Sequence, residues 1–226
     1  MTAKRGMKNF YILLGAIAVV GAGAIWSQRN SGDGSGVAVT IEALEAARGF
    51  EGYSIGQAAA PVVVTEYADF QCPACRIQAI LTMPDVIERL VRTGRVRWVF
   101  KDLPLDIHDK TRAAHLAAAC VGEQDRFWPM HDQLFYGQNE WASSRGAERR
   151  FRSYAETVGA DMDRYNECVR SGRYNARIEA SVQEALALGV ASTPTFIIGS
   201  RMYPGTISYD RIKGIVDSIA PVQTQQ

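Results

Sequence analysis

Pro61-Val62-Val63-Val64-Thr65-Glu66-Tyr67 carries four β-branched residues in unbroken succession, and Cys72-Pro73-Ala74-Cys75 begins five residues later. A run without polar alternation predicts a strand buried on both faces, which is typical of parallel sheets. Pro73 suits a first helical turn. The tetrapeptide therefore opens a helical stretch that reaches Arg92, kinks at Pro84 and stops at Gly94. Arg95-Val96-Arg97-Trp98-Val99-Phe100 reads as the next strand. Strand, helix and strand in this order form a right-handed crossover unit, so the fold class is α/β, with the cysteine pair at the first strand-to-helix turn.

The rest of the chain completes this plan. Residues 109–189 are helical in pattern, with Ala113, Leu116, Ala117 and Cys120 on one apolar face and Met162, Tyr165, Cys168 and Val169 on another. This is an insertion that Gly189 ends. Thr195-Phe196-Ile197-Ile198, Gly199-Ser200 and Arg201-Met202-Tyr203 read as strand, two-residue turn and strand. Behind a Ser208 cap, Ile212, Ile215, Val216 and Ile219 recur at helical spacing and predict an amphipathic closing helix.

Ahead of the crossover unit, Lys4, Arg5 and Lys8 precede an uncharged run over residues 10–26. The run is about as long as the shortest bilayer span and slightly long for a signal-peptide core, so an anchor and a cleaved signal are both open. Ala22-Gly23-Ala24 offers a cleavage site, but Ile25 and Trp26 continue the apolar run past it and favour an uncleaved anchor. The cations before the run keep the amino terminus inside and send the rest of the chain out. Residues 27–36, SQRNSGDGSG, cannot bury apolar area and read as a flexible tether. A short helix is expected over residues 40–48. The expected organisation is thus anchor or signal 1–26, linker 27–38, a first half-domain 39–108, the insertion 109–189, and a second half-domain 190–222.

Of the 226 residues 47 % are hydrophobic and 22 % charged, the balance of a chain with a packed core. A net charge of +1, without a basic stripe interleaved with aromatics, argues against nucleic acid as a partner.

A CxxC pair by itself is either half a zinc site or a redox dithiol. Structural zinc wants a second close Cys/His pair, whereas Cys120 and Cys168 stand alone and His108, His115 and His131 are scattered, so the redox reading is favoured. At a helix start the unpaired N–H groups and the positive dipole end stabilise a thiolate. Cys72, nearer the helix end, is then the nucleophile, and Cys75, one turn deeper, resolves the mixed disulfide.

Phe70-Gln71-Cys72-Pro73-Ala74-Cys75 together with Thr193-Pro194-Thr195-Phe196 resembles the DsbA-like branch of the thioredoxin superfamily. The likeness extends to Ser54-Ile55-Gly56, Ala60-Pro61 and Phe127-Trp128-Pro129-Met130-His131, and covers nearly everything after the tether. It implies a thioredoxin fold with an inserted helical domain. It also implies that Pro194 is cis and packs against the dithiol, and that Thr193 offers backbone groups to an extended substrate peptide. Glu66 stands where the family often keeps a buried acid. If buried, it would relay a proton to or from Cys75, with Lys101 or Arg97 as its partner; the alternative is a strand-end carboxylate in water. The best-known family pattern has His where this chain has Ala74, so one thiolate-stabilising dipole is missing and a weaker oxidant is expected.

Cys120 and Cys168 are either two inert buried thiols or, as export favours, a structural disulfide. Trp128, Trp141, Phe151, Tyr154 and His131 read as packing residues of the insertion. The expected activity is dithiol oxidation of exported proteins by a membrane-anchored or secreted enzyme whose catalytic domain is extracytoplasmic. Its expected partners are thiol- or disulfide-bearing substrates and a membrane redox protein that reoxidises it, and no soluble cofactor is expected. A reductase or isomerase running in the opposite direction is the nearest alternative. A metal-binding or chaperone module is the alternative from another class.

Overall fold

The computed structural model describes residues 37–38 and 51–221. The segment at residues 10–26, the tether at 27–36 and the helix expected at 40–48 lie outside the described residues. Among those described, no helix is long and apolar enough to cross a membrane.

A six-stranded mixed sheet forms the frame. Its strands are β1 (Val37–Ala38), β2 (Tyr53–Ile55), β3 (Val62–Ala68), β4 (Val96–Asp102), β5 (Thr195–Ile198) and β6 (Arg201–Pro204), in the spatial order β1-β6-β5-β3-β4-β2. β3 and β4 run parallel, from Val62 opposite Val96 to Ala68 opposite Asp102. Antiparallel pairing joins β5 to β3 and β6, β2 to β4 and β1 to β6. Val37 and Ala38, within the expected linker 27–38, thus pair with Met202 and Arg201, because β6 offers a free edge to any extended segment that reaches it.

The helical stretch α1 connects β3 to β4 and occupies residues 73–91. It alternates α-helical pieces, Pro73–Ile77 and Met83–Val86, with π-helical turns, Gln78–Thr82 and Ile87–Val91. Pro84 has no N–H for the i−4 carbonyl, and the wider ladder just before it accommodates that loss. Gly94, at φ 76°, ends the stretch in the left-handed region that glycine enters without strain.

Further on lie α2 (Thr111–Gly122), α3 (Phe127–Tyr136), α4 (Gln138–Trp141), α5 (Ala147–Thr157), α6 (Met162–Ser171), α7 (Asn175–Ala187) and α8 (Tyr209–Ile219). α1 and α8 cover one face of the sheet, where Met83, Val86, Leu90, Ile212 and Val216 pack on Val64, Trp98 and Phe196. α7 covers part of the other. There Glu184 accepts hydrogen bonds from Tyr67 Oη at 2.7 Å and Lys101 Nζ at 2.9 Å. β3 was expected to be buried on both faces, and that holds only towards its carboxyl end. Tyr67 is 1 % exposed where α7 lies over it, but Val63 remains 42 % exposed, since among the described residues no helix covers the start of the strand.

Cys120 of α2 and Cys168 of α6 are joined in a disulfide with Cα atoms 5.6 Å apart. Around it Ala114, Ala117, Phe151, Ala155 and Tyr165 form part of the core of the insertion, which continues to Phe70 and Phe100 under the Cys72/Cys75 turn.

Candidate active site

β3 delivers the chain to the carboxyl edge of the sheet, where Cys72 takes an extended conformation (φ −71°, ψ 123°) as the N-cap of α1. Its N–H donates to the Asp69 carbonyl at 3.1 Å, and Pro73 occupies the first helical turn, where a missing N–H does no harm. Cys72 is 7 % exposed and Cys75 fully buried, and both are free thiols.

These surroundings separate the two thiols. The Cys75 thiol donates to the Cys72 sulfur, and this is the largest cause that lowers the Cys72 pKa to about 6 against the opposing effect of burial. The Thr193 hydroxyl, buried and otherwise without a partner, and the N–H groups of Cys75 and Ala74 act in the same direction. For Cys75, burial first and the Cys72 charge next push the pKa well above the usual thiol range, and Glu66 adds to the rise. One sulfur is therefore a ready thiolate near neutral pH and the other holds its proton.

Across from Cys72, the Thr193–Pro194 peptide bond is cis, and the Thr193 carbonyl lies 3.4 Å from Cys72 Sγ, where it accepts from the thiol when Cys72 is protonated. Beneath the pair, Glu66 is buried, and loss of water raises its pKa to about 7. Neither of the expected partners pairs with it. Register places Lys101 opposite Tyr67, so alternation of side chains sends it to the far face, where it meets Glu184. Arg97 lies an odd number of residues from Phe100, the register partner of Glu66, and its Nε is buried without a hydrogen bond. The partner is Trp98, whose indole Nε1 donates to Glu66 at 3.0 Å from the same face.

Several polar residues that sequence reading passed over hold this turn in place. Asp69, fully buried, accepts from Gln71 N–H at 2.7 Å, Leu105 N–H at 2.8 Å and the Thr111 hydroxyl, and sits 2.7 Å from His108 Nδ1. Gln71 reaches the same loop through Lys110 N–H at 2.8 Å and Asp109 at 3.0 Å. Gln78 closes two bonds with the Ile207 backbone at 3.0 and 3.1 Å. Gln138, from the insertion, donates to the carbonyls of Phe70 and Cys72. All are long-range or loop contacts with no periodic signal; the short spacing of Asp69 and Gln71 from Cys72 was the available clue. His131 packs as expected, edge-on to Phe100 and Phe135 with centroids 5.4 and 4.8 Å away, and Trp141 lies edge-on to Phe151. Among the described residues, no group of three or more His, Cys, Asp or Glu side chains is placed to hold a metal ion.

Residues 50–218 match the family model described as Thioredoxin. The chain is 39 % identical over 164 residues to Na(+)/H(+) antiporter NhaA 3 of Salinispora tropica, a match that takes in 72 % of this chain but only 24 % of that protein. It is 24 % identical over 174 residues to disulfide bond formation protein D of Bacillus subtilis, covering 72 % of this chain and 74 % of the relative. Among solved structures, BdbD from Bacillus subtilis in its oxidised form superposes with a TM-score of 0.68 at 21 % identity, covering 83 % of this chain and 98 % of that one. The α-DsbA1 protein of Wolbachia pipientis gives 0.67 at 20 % identity, covering 74 % and 89 %.

Proposed function

The chain belongs to the thioredoxin family, in its DsbA-like branch, and on that footing we propose that it is a thiol-disulfide oxidoreductase that introduces disulfides into exported proteins through Cys72 and Cys75. The observation that carries the reading is the split between the thiols, one lowered to about 6 at a helix start and facing a cis proline, the other buried and raised.

A substrate thiolate attacks Cys72 Sγ of the Cys72–Cys75 disulfide, and the bond breaks with its electron pair on Cys75, which takes up a proton. Glu66, with a pKa of about 7, is suited to supply that proton. A second substrate thiolate then attacks the substrate sulfur of the mixed disulfide, and Cys72 departs as a thiolate. Its low pKa makes it a good leaving group. The substrate has lost two electrons and two protons, and the enzyme is reduced. Thr193 and Pro194 hold the extended substrate segment beside Cys72, and a membrane redox partner restores the disulfide. Residues 10–26 anchor the enzyme with the catalytic domain outside. A place at a membrane also accords with the antiporter relatives, of whose length the chain spans about a quarter.

Ala74 favours a second reading. Without the His found at that position in the best-known pattern, the thiolate loses one source of stabilisation, and reduction of substrate disulfides comes within reach. Equilibration of the Cys72/Cys75 pair with glutathione buffers separates the two: a potential near about −120 mV supports donation of disulfides, whereas one near about −270 mV supports reductase duty.

A further inference from the structure

We propose that Gln138, from the insertion, is a positioning residue for the Cys72 thiolate: its side-chain amide bridges the backbone carbonyls of Phe70 and Cys72 and so fixes the turn that carries the sulfur. The inference rests on the dithiol reading above, but its test does not need turnover.

Gln138 is 2 % exposed, and its Nε2 donates to the Phe70 carbonyl at 2.7 Å and the Cys72 carbonyl at 2.9 Å. The amide has two hydrogens, one for each acceptor. The Cys72 carbonyl also accepts the Arg76 N–H of the first helical turn at 3.1 Å, so Gln138 is its second donor. The two donors thus tie the backbone ahead of Cys72 and at Cys72 itself, and hold the sulfur at the helix start, within reach of the Cys75 thiol and the first N–H groups of α1.

Gln138 is held there independently. Gly137 just before it passes so close to the Tyr154 hydroxyl that a Cβ would overlap it. Trp141 Nε1 donates to the Leu134 carbonyl at 2.7 Å, and Arg76 Nε reaches the Phe135 carbonyl at 3.2 Å. The corner between α3 and α4 is thus fixed to its own insertion and to α1, and it presents the amide to the turn instead of following it. Through this contact, 66 residues away in sequence, the insertion acts on the chemistry of the thioredoxin half.

The test is the pH dependence of Cys72 alkylation by iodoacetamide in the reduced full chain, with thermal unfolding measured in parallel. Gln138→Met keeps size and removes both donors. By freeing the turn it should weaken the donors to the Cys72 sulfur and lower the thiolate fraction at pH 5 by about three- to tenfold, the range expected when the sulfur loses about one net hydrogen bond. Trp141→Phe, which loosens the same corner but leaves the amide in place, should lower the melting temperature and leave that profile where it is. Gln138→Glu offers a second reading if the Met variant fails to fold, and its carboxylate should raise the pKa as well. An unchanged profile in a folded Gln138 variant, or an equal shift in Trp141→Phe, overturns the proposal and assigns Gln138 to packing alone. A shifted profile in an enzyme with no exchange activity would leave this inference standing and remove the functional reading.

Discussion

Replacement of Glu66 by Gln gives the sharpest test of the buried acid beneath the dithiol, because its effect has a definite sign and pH window. Glu66 has a pKa of about 7 in the fold against 4.5 for the free side chain, with burial as the main cause and the Trp98 hydrogen bond opposing it. A carboxyl raised on folding favours the native state below its unfolded pKa and loses that contribution as pH rises through the folded one. The difference of 2.5 between those two values corresponds to about 3 kcal/mol at the limit, of which between about 2 and 3 kcal/mol develops between pH 5 and pH 8. Gln does not titrate, and its amide oxygen can still accept from Trp98. The assay is urea unfolding of both proteins at pH 5 and pH 8 in the oxidised form, where the Cys72–Cys75 disulfide removes both thiol titrations from the comparison. The wild type should lose about 2 kcal/mol or more relative to Glu66→Gln across that interval, whatever constant offset the substitution brings. Parallel pH profiles would refute the reasoning and mean that water or a rearrangement solvates the carboxylate.

Replacing Cys75 by Ala removes the largest cause of the low Cys72 pKa, so the alkylation midpoint should move up from about 6 towards the ordinary thiol range; a midpoint that stays put would transfer the cause to Thr193 and the helix start. Replacing both Cys120 and Cys168 by Ala opens a bridge with a sequence separation of 48 and should lower stability by about 4 kcal/mol in the chain-entropy account, read by thermal unfolding, while the Cys72 alkylation profile stays unchanged. Asp69→Ala strips the Leu105 and Gln71 N–H groups, the Thr111 hydroxyl and His108 of their acceptor, and urea unfolding should show a loss of roughly 3 kcal/mol or more.

The sequence determined a good deal of this molecule by itself, because its strongest signals are local. The β-branched run 62–65, the Pro73 start, the Gly199-Ser200 turn and the Ser208 cap act within one turn or strand, and β3, α1, the β5–β6 hairpin and α8 appear where those signals lie. The order of the two cysteines at a helix start is likewise a local feature that gives Cys72 and Cys75 different environments. What a residue meets across the sheet or from another domain has no such local signature. Pairing register and strand alternation, set only when the sheet assembles, gave Glu66 the Trp98 indole and sent Lys101 to Glu184 on the opposite face. Val37 and Ala38 fall within the expected linker and become a strand because an edge is there to receive them. Asp69, Gln78 and Gln138 read as ordinary polar side chains along the chain. Tertiary structure alone decides their roles, since each becomes costly to bury, and hence specific, only when long-range packing excludes water and leaves one set of partners within reach.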